Sequence, residues 1–145
     1  YRRPATIRAA ELVSDPPMNI VSGRLDAATM LLGEAEPIAK PAHLGGLPDG
    51  PCLFGVRPNH VFTRRGAATD IEIRSTVDLA EINGSETSIH FEVGGTPWVS
   101  RQTGVHRMDA DEPIRAFIEP TRLFAFDEKG TLMAAPSHAS VGRTV

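Results

Sequence analysis

The sequence contains few residue patterns that could carry chemistry, and the first to consider is a phosphate-binding loop. Such a loop has two glycines separated by four residues, then Lys and Ser or Thr at the start of a helix. The nearest match begins at Gly45 and Gly50 but continues with Pro51 and Cys52. Pro51 lacks the backbone N–H that such a loop presents to phosphate. The sequence therefore predicts no ATP hydrolysis and no bound cofactor in this chain.

The sequence supports metal binding and nucleophilic catalysis no better than it supports a phosphate-binding loop. A metal site needs His, Cys or acidic residues grouped at ligand spacing. The candidate ligands are instead scattered singly along the chain: His43, Cys52, His60, His90, His106 and His138. A Gly-x-Ser-x-Gly elbow, which would indicate a serine nucleophile, is also missing from the sequence. We therefore predict neither a metal site nor a catalytic triad.

A short polar phrase, Arg57-Pro58-Asn59-His60, offers a candidate interaction site. Arg57 either anchors an anion or an acidic group of another domain, or pairs with a nearby carboxylate while Pro58 fixes the strand exit. The ion-pair interpretation is favoured, because such roles are common for arginines. Trp98 is either an exposed contact residue or part of the core, and the core is favoured. The candidate interaction residues are Arg57, Asn59, Glu86 and Trp98.

Composition excludes several partners. The 145 residues carry a net charge of −3, which argues against a surface for nucleic acid or anionic lipid. A hydrophobic content of 41% is typical of a globular domain. The single Cys52 cannot form an internal disulfide, which favours an intracellular location. No apolar run approaches the roughly 20 residues needed to cross a bilayer.

The elements that must position these residues are mostly short strands. Residues 4–13 form the only stretch with good helix-forming content, and Pro16-Pro17 would end that helix. Residues 41–51, rich in Gly and Pro, are predicted to form a loop. The predicted strands cover 19–25, 29–32, a short piece at 38, 52–56, 71–82, 86–93, 96–102, 114–119, 123–126 and 131–133.

The clearest alternation of apolar and polar residues is in the middle of the chain. Ile71, Ile73 and Val77 share one face of a strand, and Leu79 continues that face. Ile82 breaks the pattern, so we expect a bulge or turn near residue 80. The dipeptide Asn83-Gly84 then predicts a hairpin turn into the next strand.

Many short strands with Gly-rich turns predict a mainly β domain. Closing the sheet would remove the exposed edges of such strands. We therefore expect a small antiparallel OB-like β-barrel of five or six strands, with a short N-terminal helix. A β-sandwich is the alternative.

Four phrases together resemble one family. They are Pro17-Met18-Asn19, Gly55-Val56-Arg57-Pro58-Asn59-His60, Glu81-Ile82-Asn83-Gly84-Ser85-Glu86-Thr87 and Phe126-Asp127-Glu128-Lys129-Gly130-Thr131-Leu132. Their order and spacing are similar to the C-terminal regulatory region of ATP-binding subunits from sugar-type ABC importers, which carries a TOBE or MOP-like barrel. The sequence departs from the family at Asn59, where Glu is usual, and at Asn83, where Leu is common.

The resemblance implies a domain organisation and a set of partners. Residues 1–18 would be the end of an ATPase domain and its linker, 19–136 the regulatory barrel and 137–145 a flexible tail. The parent would be a cytoplasmic homodimer on the inner face of the membrane, bound to permease subunits and open to a regulatory protein. ATP and magnesium would bind in the parent's upstream domain. A rival hypothesis is an oxyanion-binding module that uses Arg57, Arg74 and Ser75.

Overall fold

The computed structural model describes residues 18–33 and 35–136. These residues form ten β-strands and three short 3-10 turns, and the described part of the chain contains no α-helix. The turns cover Ala42–Leu44, Pro58–His60 and Pro120–Arg122. The strands are β1 (Asn19–Leu25), β2 (Thr29–Leu32), β3 (Ile38–Ala39), β4 (Gly50–Val56), β5 (Ile71–Asn83), β6 (Glu86–Val93), β7 (Thr96–Thr103), β8 (Pro113–Ile118), β9 (Phe124–Phe126) and β10 (Leu132–Ala134).

A six-stranded sheet has the order β10-β9-β4-β1-β2-β3, and all its neighbours are antiparallel. β1 and β2 form the predicted hairpin, in which Leu25 faces Met30. β1 also pairs along its whole length with β4, from Asn19 opposite Val56 to Leu25 opposite Gly50. The segment predicted as a loop contains the first 3-10 turn, and its end already belongs to β4.

The second sheet has four antiparallel strands in the order β7-β6-β5-β8. The predicted inward face of β5 is confirmed at Ile71, Ile73 and Val77, which are all buried. The prediction that Leu79 continues this face is wrong, since Leu79 is 52% exposed. The β5–β6 register shifts between Val77 and Leu79, and such an irregularity moves the following side chains to the other face. The bulge therefore comes earlier than the sequence pattern suggested.

The β5–β6 turn differs slightly from its prediction. Asn83 still belongs to β5 and pairs with Glu86, so the two turn residues are Gly84 and Ser85. Gly84 has a φ of 63°, in the left-handed region that Gly adopts without steric cost. The next hairpin turn, at Gly94-Gly95, lies where it was predicted. Both glycines there have positive φ, as a tight turn between twisted strands requires.

The two sheets share one hydrophobic core. Side chains of β1, β2 and β4 pack with those of β5 to β8 in a single buried cluster. The predicted inward residues of β6, namely Ile89, Phe91 and Val93, all belong to that cluster. Trp98 is 1% exposed, and its ring contacts Phe91 at a centroid separation of 6.4 Å. A smaller cluster of Met18, Phe124 and Phe126 packs at the β4–β9 side of the first sheet.

The prediction of a mainly β domain with antiparallel sheets is confirmed. The strand count is ten in two sheets, more than the five or six expected for one barrel. The predicted helix at 4–13 and the predicted tail at 137–145 lie outside the described residues. None of the described residues belongs to a helix long and apolar enough to span a bilayer.

Candidate functional site

Arg57 lies at the exit of β4, immediately before the 3-10 turn Pro58–His60. Pro58 begins that turn, because its fixed φ suits the first position and its missing N–H is not needed there. Arg57 is only 8% exposed, and its guanidinium carbon lies 5.1 Å from the centre of the Phe124 ring. A cation at this distance over an aromatic face is stabilised by the ring quadrupole. Arg57 therefore packs within the domain and does not project into solvent.

Residues 56–62 form what we call a strand–turn–strand unit: the end of β4, the Pro-initiated turn and the two residues after it. A second copy of this unit occurs later in the chain. Residues 56–62 read VRPNHVF and residues 118–124 read IEPTRLF, with a Pro-initiated 3-10 turn in each. The second residue after each turn pairs with the residue just before the other unit: Phe62 pairs with Phe117, and Phe124 pairs with Gly55. These pairings are equivalent, since Phe62 corresponds to Phe124 and Gly55 to Phe117. The two units therefore pair with each other reciprocally, in a local pseudo-two-fold relationship.

The turns of the two units bring their charged residues together. The Glu119 carboxylate lies 3.8 Å from the Arg122 guanidinium, and both side chains are mostly buried. Burial and the positive charges of Arg122 and Arg57 lower the pKa of His60 to about 4. His60 is therefore a neutral imidazole at physiological pH. The cluster consists of two guanidiniums, one carboxylate and one neutral ring, which is a set suited to holding two segments together.

Of this cluster, sequence reasoning named Arg57 as a candidate, treated His60 only as one of the scattered histidines, and missed Glu119 and Arg122. The signal was present in the sequence, because Glu119-Pro120 repeats the position of Arg57-Pro58 with the charge reversed. A comparison of the chain with itself would have revealed both residues.

The other candidate residues occupy different settings. Asn59 is exposed on the 3-10 turn beside Arg57. Glu86, at the start of β6, accepts a hydrogen bond of 2.7 Å from Arg101 Nε of β7. Trp98 lies in the core and donates its indole N–H to the Ile20 carbonyl at 3.0 Å. The core interpretation of Trp98 is the one the structure supports, and its candidacy as an exposed contact residue is corrected.

The three residues of the oxyanion hypothesis also make separate contacts. Arg74 donates from Nε to the Glu72 carboxylate at 2.8 Å, and Ser75 donates its hydroxyl to the Glu92 carbonyl at 2.7 Å. Arg57 packs on Phe124 in the strand–turn–strand unit. Each residue is thus engaged by a different protein group.

The described part of the chain carries two notable surface cavities, one against β5 and one beside β8. The larger, of about 660 Å³, lies between the two sheets and is lined by residues of β2, β3, β5 and the β6–β7 turn. The smaller, of about 470 Å³, lies beside β8. Among residues 18–33 and 35–136, no three His, Cys, Asp or Glu side chains converge as a metal site would require.

Comparison with known proteins decides the family. The sulfoquinovosyl glycerol transport ATP-binding protein SmoE of Agrobacterium fabrum is 27% identical over 131 residues, covering 88% of this chain and 36% of that protein. The sn-glycerol-3-phosphate import ATP-binding protein UgpC of Cupriavidus pinatubonensis is 31% identical over 140 residues, covering 88% and 37%. UgpC of Chromobacterium violaceum is 27% identical over 146 residues, covering 97% and 39%.

The chain is homologous to the ATP-binding subunits of ABC importers for sugars and glycerol phosphate. It spans little more than a third of the length of these relatives. No family model matches the sequence.

A solved structure agrees with the fold expected for the C-terminal part of such importer subunits. The cytoplasmic molybdate-binding protein ModG, solved with molybdate bound, superposes with a TM-score of 0.58 and 16% identity. The match covers 75% of this chain and 95% of ModG. At this identity the likeness shows the fold alone. The resemblance to the TOBE-containing region of importer ATP-binding subunits, predicted from four short phrases, is confirmed.

Proposed function

We propose that residues 19–136 form the regulatory and dimerisation domain of an ATP-binding subunit that energises import of a sugar or related solute. The observation that carries this proposal is the homology of nearly the whole chain to importer ATP-binding subunits of which it spans little more than a third. A phosphate-binding loop is missing from the sequence, so the proposal assigns ATP and magnesium to another part of the parent protein.

The proposed mechanism is mechanical. A homodimer places the same surface of each copy around a two-fold axis, so a rigid β domain can hold two ATPase domains in register. A regulator that binds this domain in only one arrangement of the dimer shifts the population toward that arrangement. The shared core and the reciprocal pairing of the two units supply the rigidity that this role needs. The parent would act at the cytoplasmic face of the membrane with permease subunits.

The test of the non-catalytic role uses the 145-residue chain itself. We expect ATP turnover no higher than in a protein-free blank, with magnesium present. A matched sample carrying Arg57→Ala checks for contaminating ATPase, because contamination gives the same low rate in both samples. Appreciable turnover that this internal substitution removes would contradict the proposal.

A second candidate function is binding of a small oxyanion. The likeness to ModG, whose structure contains molybdate, favours it. The separate contacts of Arg57, Arg74 and Ser75 weaken the site first suggested for it. Calorimetric titration with molybdate and with sulfate tests it directly. Saturable heat favours the oxyanion module, and a flat titration leaves the regulatory role as the better account.

A further inference from the structure

The outer face of the β5–β8 pair carries four arginines, Arg64, Arg65, Arg74 and Arg115, which we call the arginine face. All four residues are exposed, and the Arg74 side chain is 78% exposed. Arg74 on β5 lies directly opposite Arg115 on β8 in the strand register. Like charges that face each other across two strands destabilise a sheet. Arg74 and Arg115 therefore repel each other, and the Glu72 carboxylate attracts both of them.

The Glu72 carboxylate contacts two arginines of this face. Glu72 accepts a hydrogen bond of 3.1 Å from Arg65 and one of 2.8 Å from Arg74, so both its oxygens are occupied. Glu36 also attracts Arg74. Among residues 18–33 and 35–136, Arg115 forms no direct ion pair, and Glu72 attracts it at longer range. The face is therefore positive on a chain whose net charge is −3.

The arginines border an apolar depression. The cavity of about 470 Å³ beside β8 is lined by Arg64, Arg65 and Arg115 together with Met108, Ile114 and Phe117. Arg65 lies over the Phe117 ring, with its guanidinium carbon 5.0 Å from the ring centre. Small-molecule sites enclose most of their ligand, whereas this depression lies on the open face of a sheet. Its shape and its charge suit an extended chain that carries both acidic and apolar side chains.

We propose that the arginine face docks an acidic segment of a partner protein. Carboxylates of the segment would lie between Arg74 and Arg115, where they relieve the repulsion of that pair, and an apolar side chain would enter the depression against Phe117. Guanidinium forks match carboxylate geometry and tolerate partial desolvation, as such an interface requires. This inference rests on the proposed function in one respect: the arginine face would be the surface that a regulator of the importer subunit uses.

The experiment measures binding of a fluorescent peptide of alternating Glu and Leu to the 145-residue chain by anisotropy. We expect saturable binding that weakens as salt is raised. Arg115→Gln should weaken binding about tenfold, the loss expected for one charge-assisted contact. Arg24→Gln is the matched control, because Arg24 pairs with Asp26 at 3.3 Å on β1 of the other sheet. This control should bind the peptide as the wild type does.

A thermal unfolding curve separates lost binding from lost folding. Arg115→Gln should unfold at nearly the same temperature as the wild type, because it removes both the repulsion from Arg74 and the attraction to Glu72. The inference is overturned if the peptide does not bind saturably, or if Arg24→Gln loses as much affinity as Arg115→Gln. It is also overturned if inorganic phosphate binds with the same dependence on Arg115 while the peptide does not. Since the assay contains neither ATP nor permease, its outcome is independent of the proposed role in transport.

Discussion

The side-chain amide of Asn19 makes two hydrogen bonds to the backbone of Val99. They are the two bonds that a residue of a neighbouring strand would make there. Asn19 Oδ1 accepts from the Val99 N–H at 2.8 Å, and Asn19 Nδ2 donates to the Val99 carbonyl at 2.8 Å. Asn19 begins β1 in one sheet, and Val99 lies on the edge strand of the other. Together with the Trp98 indole N–H on the Ile20 carbonyl, this buried side chain therefore joins the two sheets and covers part of an edge that would otherwise stay open. This gives the Asn of the Pro-Met-Asn phrase a physical role.

Replacing Asn19 by Ala should destabilise the domain by about 2 kcal/mol, since it leaves two partly buried backbone groups of Val99 without this partner. Urea unfolding followed by Trp98 fluorescence measures the change, because Trp98 neighbours Val99 and is buried. Asn59→Ala, on an exposed turn, is the control and should change stability little. Equal effects of the two substitutions would show that the seam does not depend on Asn19.

Gly23 should tolerate no side chain. A methyl group placed there would clash with the Leu31 carbonyl and with the Phe54 ring, neither of which can move without disturbing the sheet. Gly23→Ala should therefore cost about 3 kcal/mol of unfolding free energy, in the range of overpacked cores. Gly46→Ala is the matched control, because its methyl group would meet nothing within 4 Å. A stable Gly23→Ala variant would mean that the Leu31 carbonyl and the Phe54 ring do not lie as close to Gly23 as the structure shows.

His60 should make the domain less stable in acid. Its pKa is about 4 in the folded chain and ordinarily 6.5, so the unfolded chain binds the proton more readily between these values. Stability from this residue is complete above about pH 6.5 and falls as the pH drops toward 4, by at most about 3 kcal/mol. Burial of the imidazole is the largest cause of this lowered pKa, and the positive charges of Arg122 and Arg57 add to it.

The check on His60 compares unfolding of the wild type with that of His60→Gln from neutral pH down to about pH 4. Carboxylates titrate in both proteins, so the difference between the two curves isolates His60. We expect the wild type to lose more stability than the variant over this window. A constant difference across the window would contradict the assigned pKa.

Cys52 should be unreactive in the folded chain. It is 3% exposed on β4, and burial raises its thiol pKa to about 11. A thiol-specific reagent at neutral pH should therefore label the native chain only as fast as the chain unfolds, and label it at once in denaturant. The destabilised Gly23→Ala variant should react faster than the wild type. Rapid labelling of the native wild type would show that β4 opens locally.

The sequence predicted strands best where apolar and polar residues alternate without interruption. Ile89, Phe91 and Val93 were assigned correctly because each inward residue of β6 faces the same shared core. Leu79 was misassigned because a bulge depends on how two strands pair, and no local pattern marks it. The turn at Gly84-Ser85 was placed one residue early, because Asn83 also tolerates turn conformations but here continues the strand.

The site was predictable only in part, because its contacts join distant segments. The phrase around Arg57 identified a strand exit with a Pro-initiated turn, and that is what the structure contains. Its aromatic partner Phe124 lies in the second strand–turn–strand unit, far away in the chain. The Asn19–Val99 hydrogen bonds connect two sheets in the same way. Pairings of this kind depend on tertiary packing, which composition and periodicity do not encode.

The measurement that tests the central claim most directly uses the full-length importer subunit with and without residues 19–136, reconstituted with its permease in vesicles. ATP hydrolysis, homodimer formation and solute import are measured for both forms. We expect the truncated subunit to retain ATP hydrolysis while its homodimer weakens and its response to regulators is lost. Unchanged dimerisation and regulation after the deletion, or complete loss of ATP binding by a folded truncated subunit, would contradict the account.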